Sequence, residues 1–147
     1  MPIFTIFTGT YNSEKVIHRV FNSIEHQTFK DFEWVVIDDC SKDNTVEMLR
    51  AFQDAHPDID MRVIEHVVNT GVARSRKEAL EKAKGIYFIT WDHDDEQSIN
   101  QLEAFHHIWN KYSHREDIGN IFAKIQDQRG NLLGRLFPTD TYESDYI

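Results

Sequence analysis

Four carboxylates lie within five positions in the stretch YFITWDHDDEQS, as Asp92, Asp94, Asp95 and Glu96, with His93 between the first two. Like charges this close repel one another unless a cation or water neutralises them. Mg²⁺ and Mn²⁺ prefer oxygen ligands, and Mg²⁺ usually binds one or two carboxylates together with phosphate oxygens. The cluster therefore indicates a divalent metal that binds with a diphosphate. The alternative, a solvated helix start, would need only one aspartate as its cap.

Polar or glycine-bearing segments also follow three other strand-like runs. They are TGTYN (8–12), DDCSKDN (38–44) and HVVNTGVARSR (66–76). Ligands of open α/β sheets bind beyond the carboxyl ends of the strands, so these segments and the acidic cluster are expected to converge at one edge of a sheet. Each residue also has a structural alternative: an Asx-turn for Asp38 and Asp39, a half-buried ring for Tyr11, and a solvated helix charge for Arg76.

Short apolar runs alternate with amphipathic segments along the chain. The runs at Ile3–Thr8, Phe32–Asp39, 61–66 and 86–91 predict strands, with helices between them and after the last. This alternation predicts an α/β fold with a mainly parallel central sheet flanked by helices. A further strand is predicted at 121–125, followed by a turn and another short strand. No linker or internal repeat interrupts the pattern, so one domain is expected.

Local signals predict where the helices begin and end. Ser13 is predicted to cap the first helix, and Ser98 with Gln101 has the spacing of a capping box for the fourth. Gly85 is predicted to stop the third helix. The apolar residues expected on the buried face of that third helix are Val72, Ala79, Leu80 and Ala83.

Charge and composition disfavour several classes of protein. The chain has 25 acidic against 16 basic residues and a net charge of −9, whereas nucleic-acid binders usually carry a basic face. Cys40 is the single cysteine, so no intramolecular disulfide can form. Neither a signal peptide nor an apolar run of the roughly 20 residues that span a bilayer is present, and a cytoplasmic protein is expected. The motifs G-x-G-x-x-G, G-x-x-x-x-G-K-[ST] and G-x-S-x-G are absent, which disfavours dinucleotide-binding, P-loop and hydrolase sites.

Two blocks of the chain resemble the family-two glycosyltransferases, which have the GT-A fold. The first, FTGTYNSEKVIHRVFNSIEHQTFKDFEWVVIDDCSKDNT, is similar to a strand, TYN, a helix ending near QT and a strand ending in DD.S.D.T. The second, NTGVARSRKEALEKAKGIYFITWDHDD, is similar to an N.G...AR helix followed by a strand that ends in the DXD motif. The blocks cover about Pro2 to Leu102 in the family's order. The resemblance implies a Rossmann-like nucleotide-diphospho-sugar transferase fold, with residues 1–147 as a donor-binding domain.

This resemblance implies transfer of a sugar from a nucleotide-sugar donor, most often a UDP-sugar, with inversion and with Mn²⁺ or Mg²⁺ as cofactor. The metal would offset the charge that develops on the leaving nucleoside diphosphate. The acceptor would be a saccharide or a lipid-linked saccharide, as in polysaccharide biosynthesis. Any membrane association is expected to be peripheral and to use a C-terminal part missing from this chain.

The positions that match the family's donor site can be assigned one by one. Those expected to bind the nucleotide-sugar are Thr8, Gly9, Tyr11, Asp38, Asp39, Arg76, Asp92 and Asp94, and those expected to bind the metal are Asp94 and Asp95. By the resemblance, Tyr11 should flank the base, Asp39 should accept a hydrogen bond from it, and Asp38 should support the loop. Arg76 should reach the diphosphate, and Asp95 is the expected direct metal ligand.

The chain departs from the family's pattern at several points. Lys77 replaces the Asn that usually follows the arginine, and His93 stands where a small residue is frequent. His93 and Glu96 are expected to be bystanders, with His93 exposed. Inverting transfer needs a general base, which in the family is an acidic residue in a later Glu-Asp segment. Because the Glu116-Asp117 pair precedes the fifth predicted strand, no base is assigned, and the chain is expected to be part of a longer enzyme or else a compact variant that uses a tail carboxylate.

Two other functions are compatible with the same pattern. A non-catalytic nucleotide-sugar-binding module would lack the base as its native state. A nucleotidyltransferase also joins an α/β sheet to paired aspartates, although the glycine- and basic-rich N-terminal loop of that class is missing here. Metal-dependent nucleotide binding together with release of UDP from a UDP-sugar would separate the enzyme from both alternatives.

Overall fold

The structure is built on a parallel four-stranded sheet with helices packed on both faces. The computed structural model describes residues 1–112, 114–115, 125–127 and 129–133. In chain order its elements are β1 (Phe4–Thr10), α1 (His18–Glu25), β2 (Phe32–Asp38), α2 (Thr45–Ala55), β3 (Asp60–Glu65), α3 (Val72–Lys82), β4 (Tyr87–Thr90), α4 (Gln101–Tyr112), β5 (Ile125–Gln126) and β6 (Leu132–Leu133). The large sheet has the order β3-β2-β1-β4 with every pairing parallel, which confirms the predicted fold class.

Side chains of the strands alternate between two apolar layers. On one face, Ile6 and Trp34 pack with fully or nearly fully buried residues from three helices, namely Val20 and Ile24 of α1, Leu49 and Phe52 of α2, and Leu102 of α4. On the other face, Phe7, Val35 and Ile37 pack with Ala79 of α3. Because β1 and β2 are apolar on both faces, they are buried along nearly their whole length and hold their carboxyl ends in fixed positions.

The two serines predicted as helix caps do not cap their helices. Oγ of Ser13 accepts the Tyr11 amide at 3.2 Å, and α1 begins only at His18 after an intervening turn. Oγ of Ser98 bonds to Oδ1 of Asn100 at 2.6 Å, and α4 begins at Gln101. Both serines instead connect neighbouring loops through backbone groups, a tertiary role that local spacing does not reveal.

The third helix is less buried than its pattern predicts. Ala79 is fully buried, but Val72 and Leu80 are each 57% exposed. The helix ends at Lys82, so Gly85 is not its stop. Gly85 instead approaches β1, where its amide donates to Oγ1 of Thr5 at 2.8 Å and a Cβ would lie 2.4 Å from the Thr5 amide nitrogen. A close backbone contact, and not a helix C-cap, therefore accounts for this glycine.

A buried carboxylate ties the strands together at their amino ends. Glu33 of β2 has no exposed surface, and it accepts hydrogen bonds from the Thr5 hydroxyl (2.6 Å), the Lys84 amide (2.5 Å) and Nη2 of Arg62 (2.6 Å). Burial acts to raise the pKa of Glu33, but these hydrogen bonds and the Arg62 charge outweigh it and lower the pKa. Glu33 is therefore ionised and holds β1, β2 and β3 together with the segment that leads into β4.

Residues Tyr112–Ile147 form a second compact unit after Met1–Lys111. Within its described part, β5 and β6 pair as antiparallel strands, in agreement with the predicted turn and short strand. Most of the strand predicted at 121–125, the Glu-Asp pair at 116–117 and the C-terminal tail fall outside the described residues. In the described part of the chain, no helix is long and apolar enough to cross a membrane.

The acidic loop is anchored to α1 through a buried glutamine. Nε2 of Gln27 donates to the Ser98 carbonyl at 2.8 Å and to the Ser23 carbonyl at 3.1 Å, while its Oε1 accepts the Leu102 amide at 3.2 Å. Oγ of Ser23 accepts the amide of Gln97 at 2.9 Å. Two residues at the end of α1 thus fix the segment that connects the acidic cluster to α4.

Replacing Gln27 by Met should therefore loosen this anchor without changing the volume of the core greatly. The Leu102 amide would lose its side-chain acceptor, and the Ser98 carbonyl would lose Nε2 of Gln27 while it keeps the Gln101 amide. We expect this to cost about 1–3 kcal/mol of the free energy of unfolding. Urea denaturation at neutral pH would measure the loss. Gln101→Met on α4 is the matched control, because its side chain bonds only to Gln97 among the described residues. Equal destabilisation by both variants would contradict the anchoring role of Gln27.

Candidate functional site

The carboxyl ends of the four parallel strands surround a cavity of about 400 Å³. The parallel strands point their carboxyl ends to the same edge of the sheet: Thr10 at the end of β1 pairs with Asp38 at the end of β2. The last residue of β4, Thr90, pairs with Phe7, three residues before the end of β1. The described residues that line the cavity are Phe7, Gly9, Thr10, Tyr11, Asp39, Asn69, Gly71, Val72, Ser75, Asp92, His93 and Asp94. All four polar segments singled out in the sequence therefore contribute to one cavity.

Asp39 is held in the wall of this cavity by a dense set of donors. Its Oδ1 accepts from the Thr70 amide (2.8 Å), the Thr70 hydroxyl (3.0 Å) and Nδ1 of His66 (2.9 Å). Its Oδ2 accepts from the Gly71 amide at 2.6 Å. Gly71 has φ of +84°, a backbone conformation that other residues adopt only with strain, so its amide reaches Asp39 from a position suited to glycine.

This environment keeps Asp39 ionised. The residue is 5% exposed, and burial alone would raise its pKa. The hydrogen bonds from Thr70, His66 and Gly71 outweigh burial and lower the pKa of Asp39 to about 2. Among the described residues Oδ2 has a single donor, so acceptor capacity is left for an N–H group of a ligand in the cavity.

Asp38 supports the loops instead of lining the cavity. Its Oδ1 accepts the hydroxyls of Thr10 (2.9 Å) and Ser41 (2.5 Å), and its Oδ2 accepts the Ser41 amide at 2.8 Å. Thr8 is also absent from the lining, because side chains alternate along β1 and Thr8 is buried on the same face as Trp34. There its Oγ1 accepts a hydrogen bond from Nε1 of Trp34 at 3.0 Å. The structure therefore does not bring these two predicted nucleotide-binding side chains to the cavity.

Gly9 and Tyr11 line the cavity on the side of β1. A Cβ on Gly9 would lie 3.3 Å from the Phe7 ring and 3.6 Å from Val72, so a larger residue would crowd the cavity floor. The Tyr11 side chain stands at the cavity with 48% of the residue exposed. An aromatic ring that remains this accessible beside a cavity can stack on a planar ligand.

The acidic segment forms the opposite part of the lining through Asp92, His93 and Asp94. Nη1 of Arg19 donates to the Asp94 carbonyl at 2.8 Å, which ties the segment to α1. Asp95 is not among the lining residues. Burial, followed by the negative charges of Asp94 and Asp92, raises the pKa of Asp95. The repulsion inferred from the sequence is therefore present in the folded cluster.

His93 differs from its prediction, because it is half-buried and lies in the cavity wall instead of being an exposed bystander. The structure also differs from the expectation for Arg76, which was predicted to reach the donor diphosphate. Its side chain is exposed on α3 and is not among the lining residues, since the residue of α3 that faces the cavity beyond Val72 is Ser75. Neighbouring positions on a helix point about 100° apart, so Ser75 and Arg76 cannot both face the cavity.

A divalent cation fits the cavity only if a ligand supplies further oxygens. Within the described residues, no group of three or more His, Cys, Asp or Glu side chains is arranged to hold a metal. Asp92 and Asp94 nevertheless both face the cavity, and the carboxylates around them repel one another. Since Mg²⁺ sites usually combine one or two carboxylates with phosphate oxygens, this donor set suits a cation that arrives with a diphosphate.

Sequence reasoning missed six residues of the lining besides His93, namely Phe7 and Thr10 of β1 and four residues after β3. Asn69, Gly71, Val72 and Ser75 belong to the segment after β3, which was included only as a polar loop. It also gave no role to His66, which bonds to Asp39. The signal that was available is the Asn-Thr-Gly sequence before α3, because a glycine at a helix start often marks a backbone position that other residues cannot take.

The model of the family described as "Glycosyl transferase family 2" matches residues 5–145, so the chain belongs to this family. The fold and the site agree with this assignment, because the matched region contains the entire described lining and all of β1 to β4 except Phe4. The prediction of a GT-A glycosyltransferase of family two is thereby confirmed.

Several relatives are similar over about two thirds of the chain. The putative teichuronic acid biosynthesis glycosyltransferase TuaG of Bacillus subtilis is 34% identical over 106 residues, which are 69% of this chain and 40% of that protein. The poly(ribitol-phosphate) β-N-acetylglucosaminyltransferase TarS of Staphylococcus aureus is 33% identical over 111 residues, which are 71% of this chain and 19% of TarS. The chain thus spans less than half the length of these two relatives.

Solved structures are similar to the same region. The crystal structure of S. aureus TarS 1-349 in complex with UDP has a TM-score of 0.70 and 31% identity, over 77% of this chain and 33% of that chain. The mannosyltransferase PcManGT of Pyrobaculum calidifontis, in complex with GDP-Man and Mn²⁺, has a TM-score of 0.62 and 29% identity, over 65% of this chain and 28% of that chain.

Proposed function

We propose that this chain carries the donor-binding half of a metal-dependent, inverting glycosyltransferase that uses a UDP-sugar. The observation that carries the proposal is the single cavity lined by Tyr11, Asp39, Asp92 and Asp94 at the carboxyl edge of the sheet. These residues offer a ring, an acceptor that is ionised at neutral pH and a pair of carboxylates around one space. That combination of groups suits a nucleoside diphosphate bound with a divalent cation.

Each part of the donor has a partner in the cavity. Tyr11 would stack on the base, and Oδ2 of Asp39 would accept an N–H from its edge, as uracil offers at N3. The amide of Gly71 points at Asp39 and therefore orients that acceptor. In support of a uridine donor, the TarS structures include complexes with UDP and with UDP-GlcNAc.

Asp94, with Asp92 beside it, is proposed to hold the Mn²⁺ or Mg²⁺ together with the donor's diphosphate. When bound, the cation would offset the negative charge that develops on the leaving nucleoside diphosphate. Asp95, the sequence's other metal candidate, stays a prediction and lies next to the cavity wall. The PcManGT complex with GDP-Man and Mn²⁺ supports a cation in this family, as does the mutual repulsion of the carboxylates.

Other parts of the proposal depend on chain outside the described residues. The general base is unassigned, and a saccharide or lipid-linked saccharide acceptor is a proposal in line with the relatives' names, teichuronic acid biosynthesis and poly(ribitol-phosphate) transfer. A cytoplasmic location and peripheral membrane association stay predictions. The interpretation of residues 1–147 as one donor-binding domain of a longer chain also stays a prediction.

Thermal unfolding with added nucleotides tests the donor site directly. UDP, GDP, ADP and dTDP would each be added with and without Mn²⁺, at about a hundredfold excess over Kd. Binding at that excess stabilises a protein by about 2.7 kcal/mol, so we expect UDP with Mn²⁺ to raise Tm by several degrees. A chain that responds to no nucleotide in the presence of Mn²⁺ would refute the proposed site.

Release of UDP from UDP-GlcNAc separates the enzyme from a binding module. Slow, Mn²⁺-dependent release is expected if the cavity activates the donor, since water can replace the missing acceptor. Binding without any release, by this chain and by a longer protein that contains it, would favour a non-catalytic module. Pyrophosphate release from UTP in the presence of a sugar phosphate would instead favour a nucleotidyltransferase.

Tyr11→Ala should weaken UDP binding about tenfold, because stacking of a base on an aromatic ring contributes roughly 1–3 kcal/mol. Tyr11→Phe is the matched control and should bind UDP within about twofold of the parent, since the ring is retained. Isothermal titration calorimetry in Mn²⁺ buffer would give both affinities. If Tyr11→Ala binds as well as Tyr11→Phe, the ring does not stack on the base.

A further inference from the structure

His66, the residue directly after β3, stands between two carboxylates. Its Nδ1 is 2.9 Å from Oδ1 of Asp39, and its Nε2 is 2.9 Å from Oε2 of Glu78 on α3. The His66 side chain is only 13% exposed, and the Asp39 and Glu78 side chains are 8% and 31% exposed. The ring thus bridges the wall of the cavity to the helix that begins beside it.

This geometry favours a doubly protonated ring. Carboxylates only accept hydrogen bonds, and a neutral imidazole has one N–H, so a neutral ring would leave one nitrogen lone pair facing a carboxylate oxygen. The Thr70 hydroxyl lies 3.1 Å from Nδ1 and 3.0 Å from Oδ1 of Asp39, and its single proton can be donated to only one of them. Only the imidazolium form can donate to Asp39 and to Glu78 at the same time.

The charges around the ring favour that form. The hydrogen bond to Asp39 raises the pKa of His66, burial acts against it, and the hydrogen bond and charge of Glu78 raise it further. The other oxygen of Glu78 lies 3.8 Å from Nζ of Lys82, which partly compensates this carboxylate. Glu65, the neighbour of His66 in sequence, is already paired with Arg50 at 2.6 Å.

We propose that His66 is a positioning residue of the nucleotide cavity: as an imidazolium it ties Asp39 to Glu78 and keeps the Asp39 carboxylate in the cavity wall. The inference rests on the proposed function, since it assigns Asp39 to the nucleotide base. Asp39 also accepts hydrogen bonds from the backbone amides of Thr70 and Gly71, just before α3 begins. The protonation of His66 therefore bears on both Asp39 and the loop that leads into this helix.

A dependence on pH follows from the direction of the shift. The bridge is complete below the ordinary pKa of histidine, near 6.5, and is lost as the pH rises through the raised pKa of the folded protein. Nucleotide affinity is therefore expected to fall as the pH rises through this raised pKa. The decline belongs to His66 alone only if it disappears when the ring is replaced.

The first test uses the chain without ligand. NMR titration of the histidine ring signals should give His66 a titration midpoint above 6.5, the ordinary pKa of histidine. Glu78→Gln keeps an acceptor but removes the charge, so it should shift the His66 midpoint to lower pH. The Thr70 and Gly71 amide signals should titrate with the same midpoint. A His66 midpoint at or below 6.5 would overturn the proposal.

The second test measures the affinity for UDP in Mn²⁺ buffer from pH 6 to pH 9. His66→Gln should bind UDP about tenfold more weakly than the parent at pH 6, with the difference closing as the pH rises. His107→Gln, at an exposed position on α4, is the matched control and should show the same dependence of UDP affinity on pH as the parent. Because UDP and the metal titrate in the same way with every variant, comparing the variants removes their contribution. Identical profiles for the parent and His66→Gln would overturn the positioning role.

The two tests separate this inference from the proposed function. A parent chain that binds no UDP at any pH would refute the donor site, and with it the role of His66 in nucleotide binding. The ligand-free titration would still decide whether the imidazolium holds Asp39. If His66→Gln fails to fold, Glu78→Gln retains the test, because its UDP affinity should decline at a lower pH than that of the parent.

Discussion

Asp94→Asn is expected to reduce Mn²⁺-dependent release of UDP from UDP-GlcNAc by roughly 10²- to 10³-fold. Loss of a single group that stabilises developing charge in an active site typically has an effect of this size. Asp94 faces the cavity, and its carboxylate is one of the two that can share a cation with the diphosphate. The amide of Asn has the same shape but no charge. Steady-state rates over a range of Mn²⁺ concentrations would show whether added metal restores activity.

Two neighbouring substitutions serve as controls for Asp94→Asn. Asp95→Asn should lose much less activity, because Asp95 is next to the cavity and not part of its lining. Glu96→Gln should be close to the parent, since the exposed Glu96 contacts Asn22 at 3.4 Å on the outside of the cluster. If Asp95→Asn is as impaired as Asp94→Asn, Asp95 is a second direct ligand. If Glu96→Gln is equally impaired, the assignment by cavity lining is wrong.

The same variants should separate loss of function from loss of fold. The Asp94 side chain makes no hydrogen bond that holds the described structure together; Arg19 contacts its backbone carbonyl, which the substitution retains. Removing one of several repelling carboxylates should leave the free energy of unfolding within about 0.5 kcal/mol of the parent or slightly above it. Thermal unfolding without nucleotide or metal would check this expectation.

Asp39→Asn is expected to lower the free energy of unfolding by about 3 kcal/mol and Tm by roughly 10 °C. Donors occupy both oxygens of Asp39, so the amide nitrogen of Asn would face another donor in either orientation, Gly71 on one side or Thr70 and His66 on the other. The affinity of the remaining folded protein for UDP should also fall by more than tenfold. Urea denaturation and calorimetry at low temperature would measure the two effects.

The lowered pKa of Asp39 determines how the loss of stability in Asp39→Asn changes with pH. The pKa of Asp39 is lowered from 3.8 to about 2 on folding, so the unfolded chain binds the proton more readily. Ionised Asp39 therefore contributes about 2 kcal/mol of stability above the unfolded pKa, and this contribution is lost as the pH falls through the range from about 5 to 2. The stability gap between the parent and Asp39→Asn should narrow over that range.

Asp58→Asn provides the baseline for that comparison. Asp58 is an exposed carboxylate in the turn before β3, and the structure gives it no role in the cavity. Its replacement should change stability by less than about 0.5 kcal/mol at any pH. If the gap for Asp39→Asn stays constant down to pH 2, the carboxylate is not preferentially ionised in the folded state.

The sequence by itself determined the fold class and the place of the site. Alternating strands and helices require parallel strands, and parallel strands bring every following loop to one edge, so Tyr11, Asp39 and the acidic cluster had to converge. The family pattern predicted the same residues. These conclusions depend on chain direction and on residue type, both of which are readable without coordinates.

Only the tertiary structure decided which side chains of each loop face the cavity. One step along a strand turns a side chain to the other face, which is why Asp38 at the end of β2 supports the loop while Asp39 lines the cavity. One step along a helix turns a side chain by about 100°, which is why Ser75 of α3 faces inward and Arg76 does not. The bridge from Asp39 through His66 to Glu78 joins residues 27 and 12 positions apart. No local pattern encodes such a contact, because it arises from the packing of β2, β3 and α3 against one another.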